Sequence, residues 1–113
     1  MSEPCSPEKV YACMKEAAEL SDLKFNVAAA SEAAEAQNWE SVKTRVKYIK
    51  EYFDEALKRG LIEDPDAREL RYAIGRMEKN VGNLGLFTIN TAMAWHSSDR
   101  AMAKYIARCA CGK

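Results

Sequence analysis

Apolar residues recur every three or four positions along most of the chain, which is the spacing of one face of an α-helix. The first such segment follows Ser6-Pro7-Glu8, where Ser6 can cap a helix and Pro7 fits its first turn. The spacing continues into an alanine-rich stretch, so we predict one helix from about Pro7 to Ala36. No run alternates with a period of two, and we therefore predict no strands.

The next segment has the most regular pattern in the chain. Asn38 can cap a helix, and Gly60 marks its end. Its apolar residues are Trp39, Val42, Val46, Ile49, Phe53 and Ala56. We expect this face to lie in the core. We also expect Asp64-Pro65-Asp66 to begin a third helix in the same way that Ser6-Pro7-Glu8 begins the first.

The end of the third helix has two candidate positions. Gly82 and Gly85, flanked by asparagines, favour a turn, whereas Ser97-Ser98-Asp99 could cap a short last helix. We favour the break at Gly82–Gly85. The sequence then predicts an all-α protein, a single domain over residues 1–113 folded as an antiparallel up-down bundle of four helices.

Charge and targeting signals narrow the possible classes of protein. The chain of 113 residues has 17 basic and 17 acidic side chains, and a net charge of zero argues against a globally basic nucleic-acid binder. The N-terminus does not resemble a secretory signal, and residues 80–98 are too polar to span a bilayer. We expect a cytoplasmic protein that does not interact with membranes.

Residues 80–98 have no formally charged side chain. A helix of this kind either runs through the centre of the bundle or is covered by a second copy of the chain. Aromatic residues and methionine are enriched at the centres of protein interfaces. The candidate interface residues are Phe87, Asn90, Met93 and Trp95. A ligand pocket formed by the same segment is the alternative.

Basic side chains concentrate after residue 40 and share two helical faces. The first face contains Lys43, Lys47 and Lys50, and the second contains Arg100, Lys104 and Arg108. If these faces adjoin, they form a patch that could hold a nucleic-acid backbone. A nucleic-acid-associated accessory protein is therefore the alternative function.

Acidic side chains also occur in regularly spaced pairs. Glu32 and Glu35 lie one turn apart, and Glu51 and Asp54 repeat that spacing. The pattern resembles the way in which MazG-like nucleotide pyrophosphohydrolases, which are all-α enzymes, hold Mg²⁺ against a triphosphate. Those enzymes begin the motif with a doubled glutamate, and Ser31 stands there in this chain. A magnesium-dependent nucleotide hydrolase is the third hypothesis.

The four cysteines form two clusters, with Cys5 and Cys13 near the N-terminus and Cys109 and Cys111 near the C-terminus. Neither cluster has the spacing of a zinc site. In an up-down bundle both termini lie at the same end. With the Gly82–Gly85 break, Cys5 or Cys13 could then form a disulfide with Cys109 or Cys111. We expect at most one disulfide, because Cys5 and Cys13 would be roughly 12 Å apart along a helix. Free thiols are the alternative.

No group of residues forms a recognisable catalytic arrangement, and we expect no cofactor, metal site or catalytic residue. The sequence therefore favours a non-enzymatic interaction or assembly module that forms a homodimer.

Overall fold

The computed structural model describes residues 5–112, which form five α-helices and no strands. The helices are α1 (Pro7–Glu16), α2 (Ala18–Glu35), α3 (Trp39–Lys58), α4 (Asp64–Lys79) and α5 (Leu84–Cys111). The all-α class is confirmed.

The predicted first helix is divided at Ala17, so there are five helices where we expected four. Ala17 has φ −97° and ψ 38°, which departs from helical geometry. Its N–H still donates to the carbonyl groups of Cys13 and Met14, so the chain bends without unwinding. The apolar spacing continues through the bend, because Cys13, Ala17 and Leu20 are all buried. Hydrophobic periodicity alone therefore could not reveal the division.

The other helix boundaries follow the signals in the sequence. The Ser6 hydroxyl accepts a hydrogen bond from the N–H of Lys9, and Asn38 caps α3 in the same way. The helical structure is interrupted between α4 and α5, where Gly82 adopts a φ of 97° that favours glycine. The alternative break near Ser97 is wrong. Ser98 donates its hydroxyl to the carbonyl of Ala94 inside α5 and does not cap a helix.

Helices α2 to α5 are each packed against the next helix in the chain, and α5 returns to contact α2. Apart from its chain neighbour α2, helix α1 packs against α5. The molecule is elongated, measuring 54 × 24 × 20 Å. The largest fully buried side chains include Leu20, Leu23, Ile49, Leu70, Met77 and Phe87. Val46, Ile49 and Phe53 lie in this core as expected, whereas Trp39 is half-buried and packs edge-on against Phe87.

Two disulfides join the ends of the described chain, where we expected at most one. Cys5 pairs with Cys111 and Cys13 with Cys109, with Cα–Cα distances of 4.6 and 6.0 Å. Cys5 lies in a turn before the helix, so the helical spacing assumed between Cys5 and Cys13 does not apply. Both bridges join the N-terminal segment to the end of α5.

Candidate functional site

The first half of α5, residues 84–98, has apolar side chains on both its inner and its outer side. On the inner side, Phe87 is 0% exposed and Ala94 is fully buried. On the outer side, Leu86 and Ile89 are 43% and 58% exposed. We call the residues Gly85, Leu86, Ile89, Ala92 and Met93 the outer face of α5. This face is uncharged but contributes to no membrane span, since no helix of residues 5–112 is long and apolar enough to cross a bilayer.

The four candidate interface residues lie on different sides of α5. Phe87 and Asn90 are buried within the chain, and the Phe87 ring packs against Trp39 of α3. These two side chains therefore offer no surface to a second copy. Met93 is half-buried and Trp95 is exposed, so both reach the molecular surface.

Asn83, Asn90 and Thr91 form hydrogen bonds to the backbone of their own helix. The Asn90 amide donates to the carbonyl of Leu86 at 2.8 Å, and the Thr91 hydroxyl donates to the carbonyl of Thr88 at 2.7 Å. Asn83 caps the helix through the N–H of Leu86. The backbone of their own helix thus already bonds the Asn90 amide and the Thr91 hydroxyl, and both side chains are buried within the chain.

A groove of about 570 Å³ lies between α2 and α5, and we call it the α2/α5 groove. Its lining residues are Val27, Ala28, Ser31, Glu32, Thr88, Thr91, Ala92, Trp95 and His96. Lys24 lies beside it, with its ammonium 4.7 Å from the centre of the Trp95 ring and 2.7 Å from an Asp99 carboxylate oxygen. The hydrogen bond from Lys24 holds the pKa of Asp99 below its usual value.

The three lysines of α3 line a second groove, of about 460 Å³, between α3 and α4. Carboxylates line the same groove, among them Glu51, Asp54 and Glu78. Lys50 pairs with Glu78 at 2.9 Å, and Lys43 lies 3.5 Å from Glu40. Lys43, Lys47 and Lys50 thus share one face as expected, but acids are interspersed among them.

The basic face of α5 is turned towards the start of α4. Arg100 pairs with Asp66 and Glu69, Lys104 pairs with Asp66, and Arg108 pairs with Glu63. The lysines of α3 lie beside the other end of α4, near Glu78 and Val81. The two basic faces are therefore at opposite ends of α4 and do not form one continuous patch.

The two acidic pairs also lie in different parts of the molecule. Glu32 lines the α2/α5 groove, whereas Glu51 and Asp54 line the groove between α3 and α4. Within residues 5–112, no group of three or more His, Cys, Asp or Glu side chains is arranged to hold a metal ion. The four acids that resemble a magnesium site are thus not brought together.

Sequence reasoning missed Leu86 and Ile89 as surface residues and Glu32 and His96 as groove residues. Leu86, Ile89 and Met93 do repeat at helical spacing, in a register different from that of the buried Phe87 and Ala94. This second register of apolar residues was the signal in the sequence that could have identified them as a separate face. The groove depends on which helices become neighbours, and helical spacing does not report this.

The outer face of α5 and the α2/α5 groove are thus the two features whose chemistry can indicate a function. Both arise from the uncharged first half of α5. Comparison of the chain with protein-family models, with curated proteins and with solved structures found no match.

Proposed function

We propose that the protein is a non-enzymatic interaction module that forms a homodimer through the outer face of α5. The observation that supports this proposal is the exposure of Leu86 and Ile89 on a helix half that has no charged side chain. Contiguous exposed apolar surface commonly marks a protein–protein contact. In this proposal α2–α5 form an antiparallel up-down bundle, and α1 is an addition fastened to α5.

A second copy of the chain is the partner that suits this face best. The outer face contains no charge for a partner to neutralise, so its complement should also be uncharged and apolar. In a two-fold symmetric dimer each face meets an identical face, which satisfies this requirement. Gly85 and Ala92 have little or no side chain, so two α5 helices can approach closely beside Ile89.

Nucleic-acid binding is less well supported than self-association. Five of the six candidate basic residues form ion pairs, and Lys47 is the exception within residues 5–112. Binding to phosphates would have to replace these pairs, which reduces the gain from releasing counterions. The separation of the acidic pairs similarly disfavours the magnesium-dependent hydrolase.

The two disulfides support a location different from the cytoplasm that we expected. Disulfides persist in oxidising compartments, whereas most cytosols keep thiols reduced. Intracellular proteins of hyperthermophiles are the exception. We infer that the module works in a non-reducing environment or in such an organism.

Light scattering coupled to size-exclusion chromatography tests the dimer. We expect the wild-type protein to run as a dimer at high micromolar concentration and Ile89→Lys to run as a monomer, because a lysine would bury its charge in the contact. Tyr48→Lys is the matched control, since Tyr48 is 41% exposed on α3, a helix that does not pack along α5. A monomeric wild type, or equal dissociation of both variants, would contradict the proposal.

A further inference from the structure

The α2/α5 groove combines an aromatic ring, a carboxylate and an apolar floor. Buried Val27 and the small side chains of Ala28 and Ala92 form the floor. Trp95 and Glu32 come from opposite walls, one from α5 and the other from α2. The volume of about 570 Å³ lies within the range of small-molecule sites in proteins.

We propose that this groove binds a small organic ammonium ion, meaning an amine cation attached to an apolar body. The apolar body would lie on the alanine floor, and the cation would be held by the Glu32 carboxylate and the Trp95 ring. This inference does not rest on the dimer, because the outer face of α5 is centred on Ile89 and only Ala92 belongs to both surfaces.

Electrostatics favour a cation over other ligands. Glu32 is the only formally charged residue of the groove lining, and no basic side chain within residues 5–112 forms an ion pair with it. The helix that carries Glu32 has four acids and one base, Lys24. Of these acids, Glu35 lies one turn from Glu32, whereas Glu19 pairs with Arg59 at the other end of the helix. A ligand cation would therefore meet a carboxylate that is free to pair with it.

The Trp95 ring already takes part in a contact of the proposed kind. The Lys24 ammonium lies 4.7 Å from the ring centre, within the distance at which a cation is attracted to an indole face. Lys24 does not line the groove, and its charge is balanced by Asp99 at 2.7 Å. The ion pair of Lys24 and Asp99 thus holds the Trp95 indole beside the groove. Lys24 pairs with Asp99 and not with Glu32, so the Glu32 carboxylate is left to bind a ligand cation.

The groove suits other ligand classes less well. A divalent metal ion needs several carboxylate or imidazole ligands, and the lining offers one carboxylate with His96. An anion would be repelled by Glu32. A neutral apolar molecule could occupy the floor, but it would gain nothing from the carboxylate. The hydroxyl groups of Ser31 and Thr88 can accept hydrogen bonds from an ammonium N–H.

Isothermal titration calorimetry with a matched pair of probes tests the proposal. Phenethylamine is a cation at neutral pH, and phenethyl alcohol is its neutral analogue with the same apolar body. We expect the amine to bind with a dissociation constant in the millimolar range or below, at least about tenfold more tightly than the alcohol. Equal affinity for the two probes, or no binding of the amine at millimolar concentration, would overturn the proposal.

Variants then assign the binding to the groove. Glu32→Gln should weaken amine binding about tenfold, whereas Glu35→Gln, one turn along α2 and outside the lining, should leave it unchanged. Ile89→Lys should retain amine binding, which separates this site from the dimer contact. Amine affinity that is unchanged in Glu32→Gln, or lost equally in both glutamine variants, would show that the cation binds elsewhere.

Discussion

The two halves of α5 belong to one continuous helix but differ in how the rest of the chain covers them. The first half, residues 84–98, has no charge and exposes Leu86 and Ile89. The second half, residues 99–111, carries the basic side chains that pair with α4 and the cysteines that pair with the N-terminal segment. Apolar surface is thus left exposed in the half that lacks these pairings.

The second half of α5 is covered by charged and covalent contacts together. Asp66 of α4 is 2% exposed and lies 2.9 Å from the Lys104 ammonium. Tyr105 donates a hydrogen bond to Glu16 of α1, and burial together with that bond raises the pKa of the Tyr105 phenol. The exposed apolar surface of α5 is therefore confined to its first half, because contacts with α4 and α1 cover the same helix a few turns further on.

Reducing both disulfides should be the most destabilising change and should act on the second half of α5. The bridges span 106 and 96 residues, and the chain-entropy treatment gives about 4–5 kcal/mol for closing a loop near that length. Removing one bridge should cost less, because the other still joins the same two segments. Urea unfolding with and without a reductant measures the loss in free energy of unfolding.

Hydrogen exchange, measured with and without a reductant, shows which segments lose stability when the disulfides are reduced. We expect reduction to increase exchange in α1 and at the end of α5, while the first half of α5 keeps its protection. A non-reduced digest should join Cys5 to Cys111 and Cys13 to Cys109. A stability change under about 1 kcal/mol, or uniform loss of protection along α5, would contradict the comparison of the two halves.

Neighbouring residues in the first half of α5 should respond very differently to truncation. Phe87→Ala should cost about 3–5 kcal/mol, because the ring is fully buried and packs against Trp39 at a centroid distance of 5.8 Å. Leu86→Ala should cost less than about 1 kcal/mol in the monomer, since this side chain is already exposed. Reversible unfolding at low concentration measures both, and similar losses would mean that the outer face is not exposed.

The sequence predicted the helices better than their arrangement because helix signals are local. Ser6, Asn38 and the Gly82 turn act within a few residues of their positions, and the structure has each of them as expected. The bend at Ala17 preserves the apolar spacing, so no periodicity could report it.

The candidate site depends on contacts between distant segments. The α2/α5 groove joins Glu32 to Trp95, and the Cys5–Cys111 disulfide depends on a turn at Cys5 that lies outside any helix. The uncharged stretch of the sequence includes the first half of α5. It could not tell that Phe87 faces inward and Ile89 outward, because both are large apolar residues and the neighbouring helices decide which one is covered.

The smallest expected effect lies at the boundary between the two halves, where Asp99 is the first charged residue after the uncharged stretch. The hydrogen bond from Lys24 lowers the pKa of Asp99 in the folded protein. A carboxyl group with a lowered folded-state pKa stabilises the fold above its unfolded pKa of about 3.9, and this stabilisation is lost as the pH falls through the folded-state value. Because Asp99 is largely exposed, its contribution should be below about 1 kcal/mol.

Asp99→Asn should therefore lower the free energy of unfolding slightly at pH 6, and the difference from the wild type should shrink as the pH falls below about 3.9 and through the folded-state pKa of Asp99. Asp22→Asn is the matched control, because Asp22 lies on the same helix as Lys24 and its side chain forms no ion pair within residues 5–112. The measurement is urea unfolding across this pH range for the two variants and the wild type. If Asp99→Asn and Asp22→Asn follow the same curve, Lys24 is not held by Asp99, and the fixed indole beside the groove loses its support.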